Sequence, residues 1–333
     1  MGGSVRNSMF VALAMATAAT AARAGDPHCQ HQEVGELVAS ADGPTIVTDG
    51  EINGQPVRLT IDTGSDVTML SRNSAKELHL PMRGLGGDDV AGVGGASRRY
   101  SVTVKSLRVG NMEERGGEIV ASGRSVGAAQ GSLGVRFLTQ SDVEFDLPHG
   151  KVRFFRPGTC EGDQVVYWGE AYAVEPLLPT PGYELLVNVK VDGRPVTAQL
   201  DTGSEVSVLT PHGAARAGVS LGSRGVVKAG KIEGSGHEKV TSYVNMFDSF
   251  SFGDETIKDA RLWIADLFHA DMVMDTARSF MPERELDAPD MLLGADFFKS
   301  HRVYVSLKQR KVYVSYEGGP VFQPESPPPA VKP

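Results

Sequence analysis

An all-β chain built as two similar lobes is what this sequence predicts, and three observations carry that expectation. The tetrapeptide Asp-Thr-Gly-Ser occurs twice, at Asp62–Ser65 and at Asp201–Ser204. Each copy ends a segment that opens with Gly-x-Pro-Val and then alternates: Val57, Leu59 and Ile61 in the first, Val196, Ala198 and Leu200 in the second. A second matched block closes each half, Ser132-Leu-Gly-Val-Arg-Phe-Leu138 against Leu292-Leu-Gly-Ala-Asp-Phe-Phe298. Apolar residues at period two mark half-buried strands, and here each such strand delivers an aspartate to a tight turn.

The chain has 333 residues, enough for two cored units. Arg6, the apolar run from Met9 to Ala22 and the small-x-small site Ala22-Arg23-Ala24 read as an export signal over residues 1–24. An uncleaved anchor is the alternative, but the run is short beside the roughly 20 residues a membrane span needs. The expected organisation is then a first lobe at 25–160, a Pro- and Gly-rich linker at 161–181, a second lobe at 182–317 and a Pro-rich tail at 318–333.

After each Asp turn comes an apolar stretch, Val67, Met69, Leu70 or Val206, Val208, Leu209. A helix start follows, at Ser71 or Asn73 in the first half and at Thr210 with Pro211 in the second. A glycine-rich segment precedes β-patterned residues in both halves: Gly92-Val93-Gly94-Gly95, and Gly234-Ser235-Gly236. The closing blocks lead into strand pairs, Val143–Leu147 with Lys151–Phe154 and Val303–Leu307 with Lys311–Val314. The spacing between halves widens before Gly294, which places an acidic insertion at about Phe268 to Pro289.

Hydrophobic residues make up 41% and charged ones 22%, as in a soluble globular protein. A formal net charge of −8 without a basic cluster argues against nucleic acid or an anionic membrane as partner. No second stretch is long and apolar enough to insert stably in a bilayer once the signal is removed. Cys29 and Cys160 are the only cysteines; in an exported chain they favour one disulfide, two unpaired thiols being the alternative. Two cysteines and eight scattered histidines show no metal-ligand spacing.

The doubled turn has a chemical reading. Two carboxylates held close together cannot ionise independently, so they share a proton. The ionised one can activate water while the protonated one polarises a carbonyl. Asp62 and Asp201 are the only candidates for such a pair in equivalent positions of the repeat. Gly64 and Gly203 allow the backbone to approach the carboxylates, and Ser65 and Ser204 offer hydroxyl donors to them. Thr63 and Thr202 have hydroxyls able to lock the two loops together.

These paired turns, each followed by an apolar-apolar-Gly segment, resemble the aspartic peptidases of the retropepsin and pepsin group. The plan is similar to bacterial exported retropepsin-like proteases with both halves in one chain, and the likeness runs from about Gly35 to Tyr316. It implies two β-barrel lobes related by a pseudo-twofold axis, with a central cleft. It further implies a catalytic dyad of Asp62 and Asp201, a reciprocal Thr63–Thr202 grip, and flaps near Gly92–Gly95 and Gly234–Gly236. Leu133-Gly134 and Leu293-Gly294 would support the turns. The expected activity is endopeptidase action on an extended peptide or protein substrate, without cofactor or metal, by a periplasmic or secreted monomer whose dyad is intramolecular.

Two departures from that family stand out. Val135 and Ala295 replace the arginine that retroviral members carry after the supporting glycine, so Asp66 and Glu205 need other partners, with Arg136 and Asp296 one place later. Serine stands where alanine often follows the turn glycine; hydroxyls reaching the dyad would shift activity toward acid pH. The alternative function is a catalytically silent peptide-binding or regulatory protein on the same fold. Ser65 and Ser204 lack a matched base, and His212 and His237 read as surface loop residues.

Overall fold

The computed structural model describes residues 31–322, except 44, 91, 96, 124–127, 159–164, 170, 235, 237 and 269–287. The export signal, Cys29, Cys160, Ser235, His237, most of the expected insertion and the end of the tail lie outside the described residues.

The first half comprises strands β1 (Glu33–Val38), β2 (Ser40–Asp42), β3 (Thr45–Ile52), β4 (Gln55–Asp62) and β5 (Met69–Leu70), then helix α1 (Arg72–Glu77). It continues with β6 (Met82–Val90), β7 (Ser97–Val109), β8 (Met112–Ala121), β9 (Gly131–Gly134), α2 (Val135–Leu138), β10 (Asp142–Asp146) and β11 (Lys151–Phe155). β12 (Ala173–Pro176) leads into the second half: β13 (Leu186–Val191), β14 (Arg194–Leu200), β15 (Val208–Leu209) and α3 (Pro211–Arg216). β16 (Val227–Ile232), β17 (Val240–Phe252), β18 (Glu255–Ala265), β19 (Met291–Leu293), α4 (Ala295–Phe298), β20 (His301–Ser306) and β21 (Lys311–Tyr316) complete it.

Each half closes a six-stranded barrel. The order β3-β4-β9-β5-β8-β7 returns to its start through the β3–β7 pairing, and β13-β14-β19-β15-β18-β17 does so through β13–β17. The alternating residues read from the sequence are the barrel interiors: Val57, Leu59 and Ile61, like Val196, Ala198 and Leu200, are all buried. The fold is thus the two-lobed retropepsin-like all-β architecture.

Both helix starts are capped as their sequences dictate. The Ser71 side chain accepts from the Ser74 amide at 3.0 Å, and Thr210 accepts from the Gly213 amide at 3.0 Å with Pro211 in the first turn. Among the described residues, no helix is long and apolar enough to cross a membrane.

The closing strand pairs do not belong to either barrel. β10 pairs with β20 across the halves, and the sheet β1-β11-β10-β20-β21-β12 is shared by both. Hairpin pairing was legible locally, as Phe145↔Val152 and Val305↔Val312 show, but the edges of β10 and β20 that face each other found their partner in the other half.

Candidate active site

In each barrel a short strand threads between the two strands that flank the Asp turn. β9 runs parallel to β4 and antiparallel to β5, which sets Leu133 beside Ile61 and Gly134 beside Asp62. β19 repeats the arrangement between β14 and β15. The Val135 amide then donates to the Ser65 carbonyl at 2.7 Å, and the Ala295 amide to the Ser204 carbonyl at 2.8 Å. A Cβ on Gly134 would overlap the Val67 backbone, and one on Gly294 would overlap Val206, so this crossing needs glycine.

The threonines cross between the lobes. Thr63 Oγ1 donates to the Leu200 carbonyl and Thr202 Oγ1 to the Ile61 carbonyl, both at 2.8 Å. In return, the Thr202 amide donates to Thr63 Oγ1 at 3.0 Å and the Thr63 amide to Thr202 Oγ1 at 3.1 Å. Both threonines are buried. This lock sets Asp62 and Asp201 face to face. A Cβ on Gly64 would overlap the Asp201 carboxylate, and one on Gly203 would overlap that of Asp62.

Backbone amides hold the two acids. The Gly64 amide donates to Asp62 Oδ1 at 3.0 Å, the Gly203 amide to Asp201 Oδ1 at 3.0 Å and the Ser204 amide to the same oxygen at 3.1 Å. The serine hydroxyls behave differently from the expectation. Ser65 Oγ donates to the Val67 carbonyl at 3.0 Å and Ser204 Oγ to the Val206 carbonyl at 2.8 Å. They close their own turns, because a serine two residues before a free carbonyl satisfies it locally. It is the serine amides that face the acids.

Burial raises both carboxyls, and the Asp201 charge raises Asp62 further; the amide bonds oppose this. The pair therefore keeps a proton well above the ordinary carboxylate range. Ser132, on β9, adds a hydroxyl bond to Asp62. Its counterpart by register is Leu292, which cannot donate. Sequence pairing of Ser132-Leu-Gly with Leu292-Leu-Gly contained this difference, but nothing in it pointed the hydroxyl at the acid.

The positions after the turns find unlike surroundings. Burial raises Asp66, and the nearby Glu184 raises it again, while the Arg136 guanidinium lies 5.1 Å over the Tyr183 ring. Burial raises Glu205 against the opposing charge of Lys299. Asp296 instead accepts from the Ser207 amide at 2.9 Å and the Ser207 hydroxyl at 2.6 Å, and Ser207 Oγ accepts from the Gly294 amide at 2.9 Å. In the first lobe Thr68 Oγ1 accepts from the Gly134 amide at 3.3 Å without an acid behind it. His212 is not in a loop: it lies in α3, with Nδ1 2.8 Å from Asp290 Oδ1.

The glycine-rich segments sit at the tips of the β6–β7 and β16–β17 hairpins, and the tips meet. The Gly236 amide donates to the Val93 carbonyl at 3.0 Å and the Glu238 amide to the Gly94 carbonyl at 2.9 Å.

A family model described as aspartyl protease matches the chain twice, over residues 48–137 and 187–297. A search of curated proteins returned no match. The two matched segments contain the two Asp turns, both hairpins and both threaded strands.

Proposed function

The chain belongs to the aspartyl protease family, and from that membership we propose that it is an endopeptidase whose dyad is Asp62 and Asp201. One carboxylate takes a proton from a water molecule as its oxygen attacks the carbonyl carbon of a peptide bond. The protonated partner donates to the carbonyl oxygen. The C–N bond then breaks as the nitrogen takes a proton from the dyad, with no covalent enzyme intermediate. The observation that carries this reading is the reciprocal packing in which each turn glycine lies against the opposite aspartate.

Extended substrate would lie between the lobes, under hairpin tips that act as flaps: Gly92–Gly95 from one side and Gly234–Gly236 from the other. Thr63 and Thr202 keep the turns in register, and Gly64, Gly203 and the Ser65 and Ser204 amides hold the acids. The same reading takes the enzyme as an exported monomer, because both turns belong to one chain and residues 1–24 read as a signal.

The test compares wild type with Asp62→Asn and Asp201→Asn on a mixed peptide library, with and without a statine-type inhibitor. Cleavage by wild type alone, blocked by the inhibitor, supports the dyad. Full cleavage by either variant removes the assignment. Binding without cleavage by all three proteins would make the cleft a peptide-binding module. Specific activity that holds constant on dilution supports an intramolecular pair, and a fall would mean that two chains share it.

A further inference from the structure

The connection between the lobes builds a site that neither barrel contributes alone. Residues 177–185, between β12 and β13, run past α2 of the first lobe and the β20–β21 turn of the second. An open pocket of about 600 Å³ lies where the three meet, room for a few residues of polypeptide. Its walls are partly apolar, with Leu177, Leu178 and Leu307 half-buried there. Two cations line it as well, Arg136 from α2 and Arg310 from the turn.

Both arginines are exposed, and among the described residues neither pairs with a carboxylate. Arg136 lies over the Tyr183 ring instead, 5.1 Å from its centroid. Stacking on the face of a guanidinium leaves its edge N–H groups free for a carboxylate. Glu184 lines the same pocket but folds back on its own turn. The Thr180 hydroxyl donates to it at 2.5 Å, and a Cβ on Gly182 would overlap it.

Arg310 stands where the backbone favours another residue. Its φ is +52°, in the left-handed region that glycine enters freely and side-chain-bearing residues enter at a cost. The repeat supplies the comparison: Leu147-Pro-His-Gly150-Lys-Val152 matches Leu307-Lys-Gln-Arg310-Lys-Val312. Gly150 has a φ of +68°, its amide donates to the Leu147 carbonyl at 3.0 Å, and its carbonyl accepts from the Ala39 amide at 2.9 Å. Arg310 donates to the Leu307 carbonyl at 3.3 Å and accepts from the Leu177 amide at 2.9 Å. The two turns do the same backbone work, so only the side chain distinguishes the arginine. Arg136 in turn matches Asp296, which is bound to Ser207. The matching place in the repeat thus carries a glycine and an acid where this pocket carries two guanidiniums.

We infer that this pocket is a docking site, outside the cleft, for an acidic segment of a polypeptide substrate. A glutamate or aspartate side chain binds Arg136 and Arg310 while its apolar neighbours cover Leu177, Leu178 and Leu307. The pocket opens beside the first Asp turn: the Arg136 amide donates at 3.2 Å to the carbonyl of Asp66, which follows that turn directly. Its cations stand on two separate elements of an open surface, which suits a chain lying across them. The docking does not depend on the proposed peptidase activity, whereas its effect on cleavage does.

The experiment uses the full chain with Asp62→Asn, so that nothing is cut, alone and with Arg310→Gly or Arg136→Gln added. Fluorescence anisotropy follows two labelled short peptides, one with a Leu-Glu-Leu-Glu core and a twin with Leu-Gln-Leu-Gln. The parent should bind the acidic peptide about tenfold tighter than its twin, the scale of a charge-assisted arginine–carboxylate bond. That gap should narrow as salt rises. Each added substitution should remove most of it. Arg310→Gly should melt no lower than its parent, because glycine is the residue this φ favours. With the dyad intact, a cleaved peptide that carries the acidic core away from the cut bond should show KM raised about tenfold by Arg310→Gly and kcat unchanged.

Equal binding of the two peptides overturns the inference, as does an acidic preference that survives in either variant. A lower melting temperature with unchanged binding in Arg310→Gly would mean that the arginine serves the fold, and overturns it too. Free glutarate that displaces the acidic peptide at equal concentration would make the occupant a small dicarboxylate, against the polypeptide assignment. An unchanged KM for a cleaved acidic peptide overturns docking of substrate. If no peptide is cut, an acidic preference lost in both variants upholds the site while the peptidase reading alone fails.

Discussion

Ser132 and Leu292 hold matching places beside Asp62 and Asp201, yet only the serine donates a hydrogen bond to its acid. A donor stabilises the anion, so Ser132 lowers a carboxyl that burial and Asp201 push up to about 7. Activity requires the pair to carry one proton; it should fall as pH rises through about 7, where Asp62 loses its own. Ser132→Ala removes the donor and should move the profile of kcat/KM to higher pH by up to about one unit. Ser132→Thr keeps a hydroxyl and should restore the original profile, which a purely structural role for the serine would not require. Asp201 supports a second prediction, in stability. Burial raises it from 3.8 to about 6, so its contribution is fully present below about 3.8 and is lost as pH climbs through about 6. Asp201→Asn carries no such loss. Thermal melts should show the variant close to wild type at pH 3.5 and more stable at pH 8, in keeping with an active site that trades stability for chemistry.

The Asp turns work as elements only because the threonines tie one to the other. Removing the Thr202 hydroxyl leaves the buried Ile61 carbonyl and the Thr63 amide without partners. Each such group costs about 1–3 kcal/mol, so Thr202→Ala should lose about 2–4 kcal/mol in urea denaturation, while Thr202→Ser should lose far less. Activity should fall with the alanine variant even where it remains folded, because Gly64 and Gly203 then drift from the opposite carboxylates. Much at this scale was legible in the sequence. The period-two strands β4 and β14, the Ser71 and Thr210 caps and the Thr63–Thr202 lock follow from local chemistry or from the repeat itself. The Ser65 and Ser204 hydroxyls did not, because a serine in a tight turn can reach either its own loop or the acid, and only the backbone path decides. The threaded strands were half legible: Gly134 and Gly294 marked a close crossing, but runs as short as Met291–Leu293 do not announce their neighbours. The packing of Val93 against the second lobe was hidden because its neighbours come from five strands there.

At the scale of the molecule, the shared sheet decides whether the lobes behave as one. Its central strand β10 belongs to the first half and is gripped by the second. Asp142 accepts from the Leu307 amide at 2.9 Å and the Ser306 hydroxyl at 3.2 Å, while Arg302 reaches Asp146 at 3.2 Å. Arg153 on β11 binds Glu144, Asp146 at 3.0 Å and Glu36 at 3.1 Å. Glu144 and Asp146 are fully buried, and the Arg153 guanidinium is a charge partner of both. Burial already raises Glu144, and Arg153 opposes that rise. Arg153→Met therefore leaves a carboxylate that is costly to ionise. The loss should be small in acid, where Glu144 is protonated, and should approach about 3–5 kcal/mol as pH rises past neutrality. Because β10 and β20 are paired, this loss should appear as one cooperative transition shifted to lower denaturant, followed equally by Trp168 near the shared sheet and Trp263 in the second lobe. Two separated transitions would mean that the barrels stand alone, and then the alignment of Asp62 with Asp201 would rest on the threonine lock and the meeting of the hairpin tips.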